Sequence, residues 1–328
     1  MQLFQKLQMD RIKGMIMGGA LGDALGAPHE FRFQKKNYDG LLNKPIYFKF
    51  QYTPVKNSAV GQVTDDTEMT YALWESIIAN NGFYDKESTI LEYMKWARTA
   101  WAMGKNTRAL FGNIKTIKGY RDRQAKLDEN GQSNGSLMRC SPLAILDDWR
   151  RDTVADCNLT NPNSINRNIG LIYVKALRMA LHGKSKKKII DQIVESATEL
   201  KIPAISTAVH EAMFRNLGDM KTHKDLNENK GWVAHAFHCA VWGLMHFDDY
   251  KSAIDAIILR YGDCDTNAAI AGNLLGAYYG FSAMVENIVT KKNIKVLLKC
   301  DPKKGDMSRG EYCIDKTPEI LKYIVYDF

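Results

Sequence analysis

The 328-residue chain has only six cysteines and eight prolines, no long uncharged apolar run, and almost no period-two alternation of Val, Ile or Thr. Each shortage excludes something. Cys140, Cys157, Cys239, Cys264, Cys300 and Cys313 lie scattered without a CxxC pair, which argues against a zinc knuckle and a disulfide framework and suits a reducing cytoplasm. No stretch approaches ~18 uncharged apolar residues, so no membrane span is predicted. The segment from Gly14 to Ala27 has the small-residue look of a signal-peptide core. Asp23 sits inside it, however, and the pattern runs on into Pro28-His29-Glu30, which a discarded leader has no reason to carry. Strands are left with one doubtful stretch, Ile46 to Tyr52.

What is present is an ordinary globular composition, 45% apolar and 25% charged, at a length that buries a large core without a metal or disulfide to hold it. A metal site in such a chain concerns chemistry, not folding. The 45 Lys+Arg against 37 Asp+Glu give a net charge of +8. Basic runs such as Lys184-Ser185-Lys186-Lys187-Lys188 are short and lack interleaved aromatics, so they read as solvated loops and not as a nucleic-acid stripe.

Apolar residues recur at three-and-four spacing, which predicts an all-helical protein. The predicted helices run over about 10–26, 67–80, 87–102, 166–182, 186–199, 203–217, 232–246, 250–260 and 266–283. Polar loops are expected at 31–63, 119–135, 147–165 and 218–231. None of them looks like an interdomain linker and no repeat recurs at a fixed period, so one compact domain is expected over 1–328. Its motif-bearing core spans about 10–284, with 285–328 peripheral, and a monomer is expected.

Glycine recurs every fourth residue at Gly14, Gly18, Gly22 and Gly26, and again at Gly272, Gly276 and Gly280. Glycine within a helix costs about 1 kcal/mol against alanine. Its repetition on one helical face therefore predicts two innermost helices whose backbones approach closely.

Chemistry concentrates in four places. Thr64-Asp65-Asp66-Thr67-Glu68 opens an apolar helix; adjacent carboxylates there serve either as caps or as hard-oxygen metal ligands. Asp263-Cys264-Asp265-Thr266 occupies the same setting before another helix, and its two carboxylates converge only if both lie in the turn ahead of it. Two such loops make halves of one site, whose carboxylates need cations and match two divalent ions. Glu30, just past a helix ending at Pro28, is placed as a further site carboxylate. Asn134-Gly135-Ser136 leads into a helix and either cradles a phosphate or simply caps.

The segments GGALGDALGAPHEF at 18–31, TDDTEMT at 64–70, NGSLMRCSPLAI at 134–145 and GDCDTNAAIAGNLLGAYYG at 262–280 together resemble the ADP-ribosylglycohydrolase family. The resemblance implies an all-α orthogonal helical bundle of that type. It also implies two Mg2+ ions, with Mn2+ as the alternative, and release of ADP-ribose from a modified protein side chain. By position, Thr64, Asp65, Asp66, Asp263, Asp265 and Thr266 match the family's metal ligands, with Glu30 at the metal centre. Acid–base work is assigned to Glu30 or Asp66. Asn134, Gly135 and Ser136 match a loop near the ribose and phosphates, and Gly104 a loop that approaches the diphosphate. Trp232 falls where relatives carry an adenine-stacking tyrosine, or else is a core aromatic.

Three departures stand out. Cys264 stands at the threonine between two carboxylates of the usual Asp-Thr-Asp-Thr, where its side chain should point away; Asn161 replaces a common histidine; Ala102 stands where the arginine-specific branch often has aspartate. The last two bear on substrate choice. An arginine-linked ADP-ribose is the expected substrate. The alternatives are O-linked ADP-ribose on serine or acetate, a nucleic-acid adduct, or a silent relative that only binds.

Overall fold

The computed structural model describes residues 2–30, 59–100, 102–128, 130–213, 231–260, 262–300, 320 and 322. Ile46 to Tyr52 and most of the expected loops at 31–63 and 218–231 lie outside them. Among the described residues the fold is all-α, the one β feature being an isolated antiparallel bridge between Ser133 and Trp232.

Helix α1 (Gln2–Gly26) ends in a 3-10 turn, Ala27–His29, with Pro28 near its start. Three helices follow, α2 (Asp65–Ala79), α3 (Lys86–Trp96) and α4 (Lys105–Phe111), and then α5 (Ile117–Gln124) and the single turn α6 (Gly135–Met138). The middle of the chain forms α7 (Trp149–Thr160), α8 (Ser164–Leu181), α9 (Lys186–Leu200) and α10 (Pro203–Ala212). The last third gives α11 (Val233–His246), α12 (Tyr250–Ile258), α13 (Cys264–Tyr279), α14 (Phe281–Glu286) and α15 (Ile288–Leu298).

Two expected loops contain helices. In 147–165, α7 buries Trp149, Asp152, Thr153, Asp156, Cys157 and Thr160. That spacing is helical, but two of the buried residues are aspartates and hide the apolar periodicity. In 119–135, α5 buries only Tyr120 and is capped by the Thr116 hydroxyl, which accepts the Gly119 N–H. The expected helix 266–283 is broken at Gly280, whose φ of +84° suits glycine. Beyond residue 284, Ile294, Leu297 and Ile320 are buried in the core.

The core is organised about α1 and α13, which run antiparallel at backbone contact. A Cβ placed on Gly14 would stand 2.2 Å from the Gly276 carbonyl oxygen, one on Gly18 2.3 Å from that of Gly272, and one on Gly22 2.2 Å from that of Ala268. At these three glycines no side chain fits. Helices α8, α11 and α12 pack around α13, and Tyr173 and Tyr250 donate to the Ile270 and Gly18 carbonyls at 2.7 and 2.6 Å. The seam runs straight to the chemistry. The end of α1 carries Asp23 and leads to Glu30, while the start of α13 carries Asp265 beside Gly26.

Candidate metal centre

Helix α2 begins at Asp65 with Thr64 as its cap residue, yet Thr64 makes no side-chain cap bond. The cap comes from another helix. Asp23 accepts the Thr64 N–H at 2.9 Å, the Thr67 N–H at 3.1 Å, the Thr64 hydroxyl at 2.8 Å and the Thr67 hydroxyl at 2.5 Å. The free amides at a helix start and the positive end of its dipole hold this buried carboxylate. The Thr64 oxygen also lies 2.9 Å from Asp66 Oδ2, so one hydroxyl proton faces two carboxylates.

Helix α13 starts two residues earlier than expected, at Cys264. Asp263 (φ −85°, ψ 62°) is therefore its non-helical cap and Asp265 lies inside its first turn. The two carboxylates still converge, because the cap residue sends its side chain off in a different direction from the helical ones. Thr266 donates its N–H to Asp265 Oδ1 at 2.9 Å and its hydroxyl to Asp263 Oδ1 at 3.1 Å. Cys264 turns away, its thiol directed 3.5 Å to the Gly26 carbonyl.

Two sets of three carboxylates offer oxygens within 4.8 Å of one another: Asp23, Asp66 and Asp265, and Glu30, Asp263 and Asp265. Asp265 belongs to both. Burial raises the carboxyls of Asp23 and Asp263. It raises Asp66 far more, with the charges of Asp23, Asp65 and Asp263 adding to it, and Asp265 likewise, with Glu30, Asp263, Asp66 and Asp23 adding. None of the five aspartates joins an ion pair among the described residues, and the buried Asp66 Oδ1 has no hydrogen-bond partner. Hard oxygen donors, mutual repulsion and an orphaned oxygen fit divalent cations such as Mg2+ or Mn2+.

Asp65 stands slightly apart. Its Oδ2 accepts the Gly104 N–H at 3.1 Å. Burial, then Asp23 and Asp263, raise its carboxyl to about 6 against that bond. Gly104 is the cap residue of α4 and has open space around it, so the loop before α4 is tied to the carboxylate cluster through Asp65.

In the neighbouring 131–135 segment, Asn134 donates its side-chain amide to Asp263 Oδ2 at 2.7 Å and its backbone N–H to Gly231 O at 2.8 Å. Gly135 opens α6. Ser136 faces inward, accepting from Asn166 Nδ2 at 3.0 Å, and Asn161, fully buried, donates to Gly131 O and Ser133 Oγ at 3.1 Å. Both therefore support the loop instead of lining an open face. Trp232 is the cap residue of α11; its indole N–H donates to Gln132 Oε1 at 2.9 Å and its ring meets His235 edge-on.

A family model for ADP-ribosylglycohydrolase matches residues 5–295. The chain belongs to the ADP-ribosylglycohydrolase family. It is 26% identical over 311 residues to an ADP-ribosylarginine hydrolase of Pseudomonas putida, covering 88% of this chain and 77% of that one. It is 25% identical over 301 residues to an ADP-ribosyl-dinitrogen reductase glycohydrolase of Rhodospirillum rubrum, covering 88% and 92%. An ADP-ribosylhydrolase of Mus musculus is 23% identical over 320 residues, covering 85% and 86%. A solved structure titled an ADP-ribosylglycohydrolase-related protein complex superposes with a TM-score of 0.64 at 23% identity, covering 89% of this chain and 98% of that one, and has the same all-α fold.

In this ADP-ribosylglycohydrolase Asp23 is the site residue that the sequence did not single out. Its signal was there: it is the one charged residue between Gly14 and Ala27, in a stretch otherwise made of glycine, alanine and apolar residues. A buried carboxylate in such company needs donors or a cation.

Proposed function

We propose that this enzyme is a divalent-metal-dependent hydrolase that releases ADP-ribose from modified arginine side chains. The observation that supports it best is the pair of carboxylate triads sharing Asp265, at the end of the glycine seam. Asp23, Asp66 and Asp265 would hold one Mg2+ or Mn2+, and Glu30, Asp263 and Asp265 a second, with Thr64, Thr266 and Asp65 at their margins. When bound, such ions would supply Lewis acidity and lower the pKa of water at the site.

Hydrolysis joins a water oxygen to the anomeric carbon and breaks the bond from that carbon to the guanidino nitrogen, through an oxocarbenium-like transition state. One carboxylate takes the water's proton, and the leaving guanidine gains one. We assign the acid–base work to Glu30 or Asp66. Exposure favours Glu30, which is half-buried at the rim, whereas Asp66 is buried and shares the Thr64 hydroxyl. The loops bearing Gly104 and Asn134, Gly135 and Ser136 flank the cluster and would hold the diphosphate and ribose; Trp232 would lie beside the adenine. Arginine linkage is supported by the likeness to an ADP-ribosylarginine hydrolase. The scattered cysteines, none of them in a disulfide among the described residues, suit a cytoplasmic setting.

Purified protein incubated with an arginine-ADP-ribosylated protein, or with a serine-ADP-ribosylated peptide, should release free ADP-ribose, followed by mass spectrometry. The expected result is release from the arginine substrate in Mg2+ and none in EDTA. Release from the serine peptide alone would overturn the linkage, and release unaffected by EDTA the metal dependence.

A further inference from the structure

Behind the loop that carries Asn134 lies a charged group that the proposed chemistry does not use. Arg139, at the end of α6, is fully buried. Its Nε donates to Asp156 Oδ2 at 3.0 Å and its Nη2 to the Asp156 carbonyl at 2.9 Å. Tyr93 donates its hydroxyl to the other Asp156 oxygen at 2.9 Å, and its ring lies 5.0 Å from the guanidinium. A buried ion pair is weak evidence for stability, since desolvation offsets much of the attraction. Its placement calls for another account.

The remaining nitrogen supplies one. Arg139 Nη1 donates to the Gly135 carbonyl at 2.8 Å and to the Thr160 hydroxyl at 2.9 Å. Thr160 passes its own proton to Asn161 Oδ1 at 2.8 Å, and Asn161 Nδ2 reaches Gly131 O and Ser133 Oγ. A single guanidinium thus holds the near end of segment 131–135 directly and its far end through two side chains. Between the two ends sits Asn134, whose amide meets Asp263 Oδ2. Only arginine offers a planar fork of donors able to serve the two Asp156 oxygens, Gly135 and Thr160 at once; lysine presents a point charge.

We propose that Arg139 and Asp156 form a positioning device for the Asn134 loop, which fixes the Asn134 amide against Asp263 and so sets the orientation of that carboxylate. Where it concerns a cation on Asp263, the proposal rests on the metal reading above. Outer partners that orient ligating carboxylates typically change metal affinity or activity by about 10- to 100-fold when removed.

The test uses Arg139→Lys, Thr160→Val and Thr160→Ser in the full chain. It reads hydrogen exchange of the 131–136 amides, Mn2+ binding by calorimetry, kcat and KM for ADP-ribose release, and Tm. Arg139→Lys and Thr160→Val should speed exchange in this segment and weaken Mn2+ binding about tenfold or more, with kcat falling, while Thr160→Ser restores all three. A folded Thr160→Val with a lower Tm but wild-type loop exchange and Mn2+ affinity would overturn the proposal, leaving the pair merely structural. If Arg139→Lys does not fold, the Thr160 pair decides alone. Wild-type protein without turnover would refute the proposed function and leave exchange and Mn2+ binding to judge this one. Wild-type protein that binds no Mn2+ leaves exchange, where an unchanged loop in Thr160→Val is again the negative result.

Discussion

Asp23, near the end of one helix, takes both the backbone N–H and the hydroxyl of Thr67 in the first turn of another, at 3.1 and 2.5 Å. The relation fastens the start of α2 to α1 and at the same time turns a carboxylate toward Asp66 and Asp265. With Mg2+ present to quench the repulsion of the cluster, Asp23→Asn should lower stability by about 2 kcal/mol, because charged acceptors are lost from buried donors. Turnover should fall by about 10- to 100-fold. Thr67→Val removes one donor and should cost about 1 kcal/mol with a smaller loss of turnover. Urea denaturation and ADP-ribose release measure both; an equal drop in turnover would reduce Asp23 to a helix cap.

Gly276→Ala drives a methyl to 2.0 Å from the Gly14 carbonyl oxygen, with backbone on both sides and nothing free to rotate away. The expected loss exceeds about 3 kcal/mol, the upper end of overpacking costs, and recovery of soluble protein should fall with it. Gly104→Ala meets nothing within 4 Å and should change stability by under about 0.5 kcal/mol. Thermal melts of the two decide whether the seam is as tight as drawn.

The carboxylates of the cluster carry raised values, Asp65 to about 6 and Asp66 and Asp265 well above the usual range, with burial the first cause in each. In the unfolded chain they ionise near about 4. In metal-free protein the cluster's contribution to stability is therefore greatest below that value and is lost as pH rises through the folded values, for Asp65 between about 4 and 6. Divalent ions bind the ionised form, so the rise in Tm produced by Mg2+ should grow from about pH 5.5 to about pH 7.5. A Tm that ignores Mg2+ at both values would sink the metal assignment.

His238, on α11, works with the opposite sign. Its buried ring donates Nδ1–H to the Ala208 carbonyl at 3.0 Å, and burial first, then the Arg260 charge, push its pKa down to about 3. A depressed folded value gives stability that is complete above the unfolded value of about 6.5 and drains away as pH falls towards 3. At about pH 5 the loss should be about 2 kcal/mol. His238→Gln should lack that slope while keeping the slopes of the cluster, so the difference in urea midpoint between the two proteins isolates it. Parallel pH profiles would refute the buried neutral imidazole.

The helices with a plain apolar stripe, α8, α11 and α12 among them, were legible because burial and residue type agree there. Helix α7 was not, since its inward face is lined by Asp152 and Asp156, and the partner that makes Asp156 tolerable, Arg139, comes from a different segment. The same physics hid Asp23. In one dimension it is an acidic residue interrupting an apolar helix, and only the arrival of Thr64 and Thr67 from 41 and 44 residues away supplies its donors. The adjacent pairs Asp65-Asp66 and Asp263-Cys264-Asp265 were visible because their unusual feature is local. Ser136 was singled out by resemblance to a substrate loop and Asn161 as a departure from the family's histidine; their hydrogen bonds to Asn166 and to Gly131 and Ser133 depend on packing that no spacing reveals.

The seam between α1 and α13 has main chain on both sides wherever its glycines meet, so its width follows from bond lengths and atomic radii and no rotamer can adjust it. Asp23 hangs from one rail and Asp265 from the other. The gap between these carboxylates is thus a dimension of the scaffold, out of reach of ordinary side-chain drift, while loop residues away from Asp65 and Asp263 remain free to vary. Such a molecule can change the acceptor it serves without retuning its carboxylates, much as a lathe keeps its bed while the tool holder is exchanged.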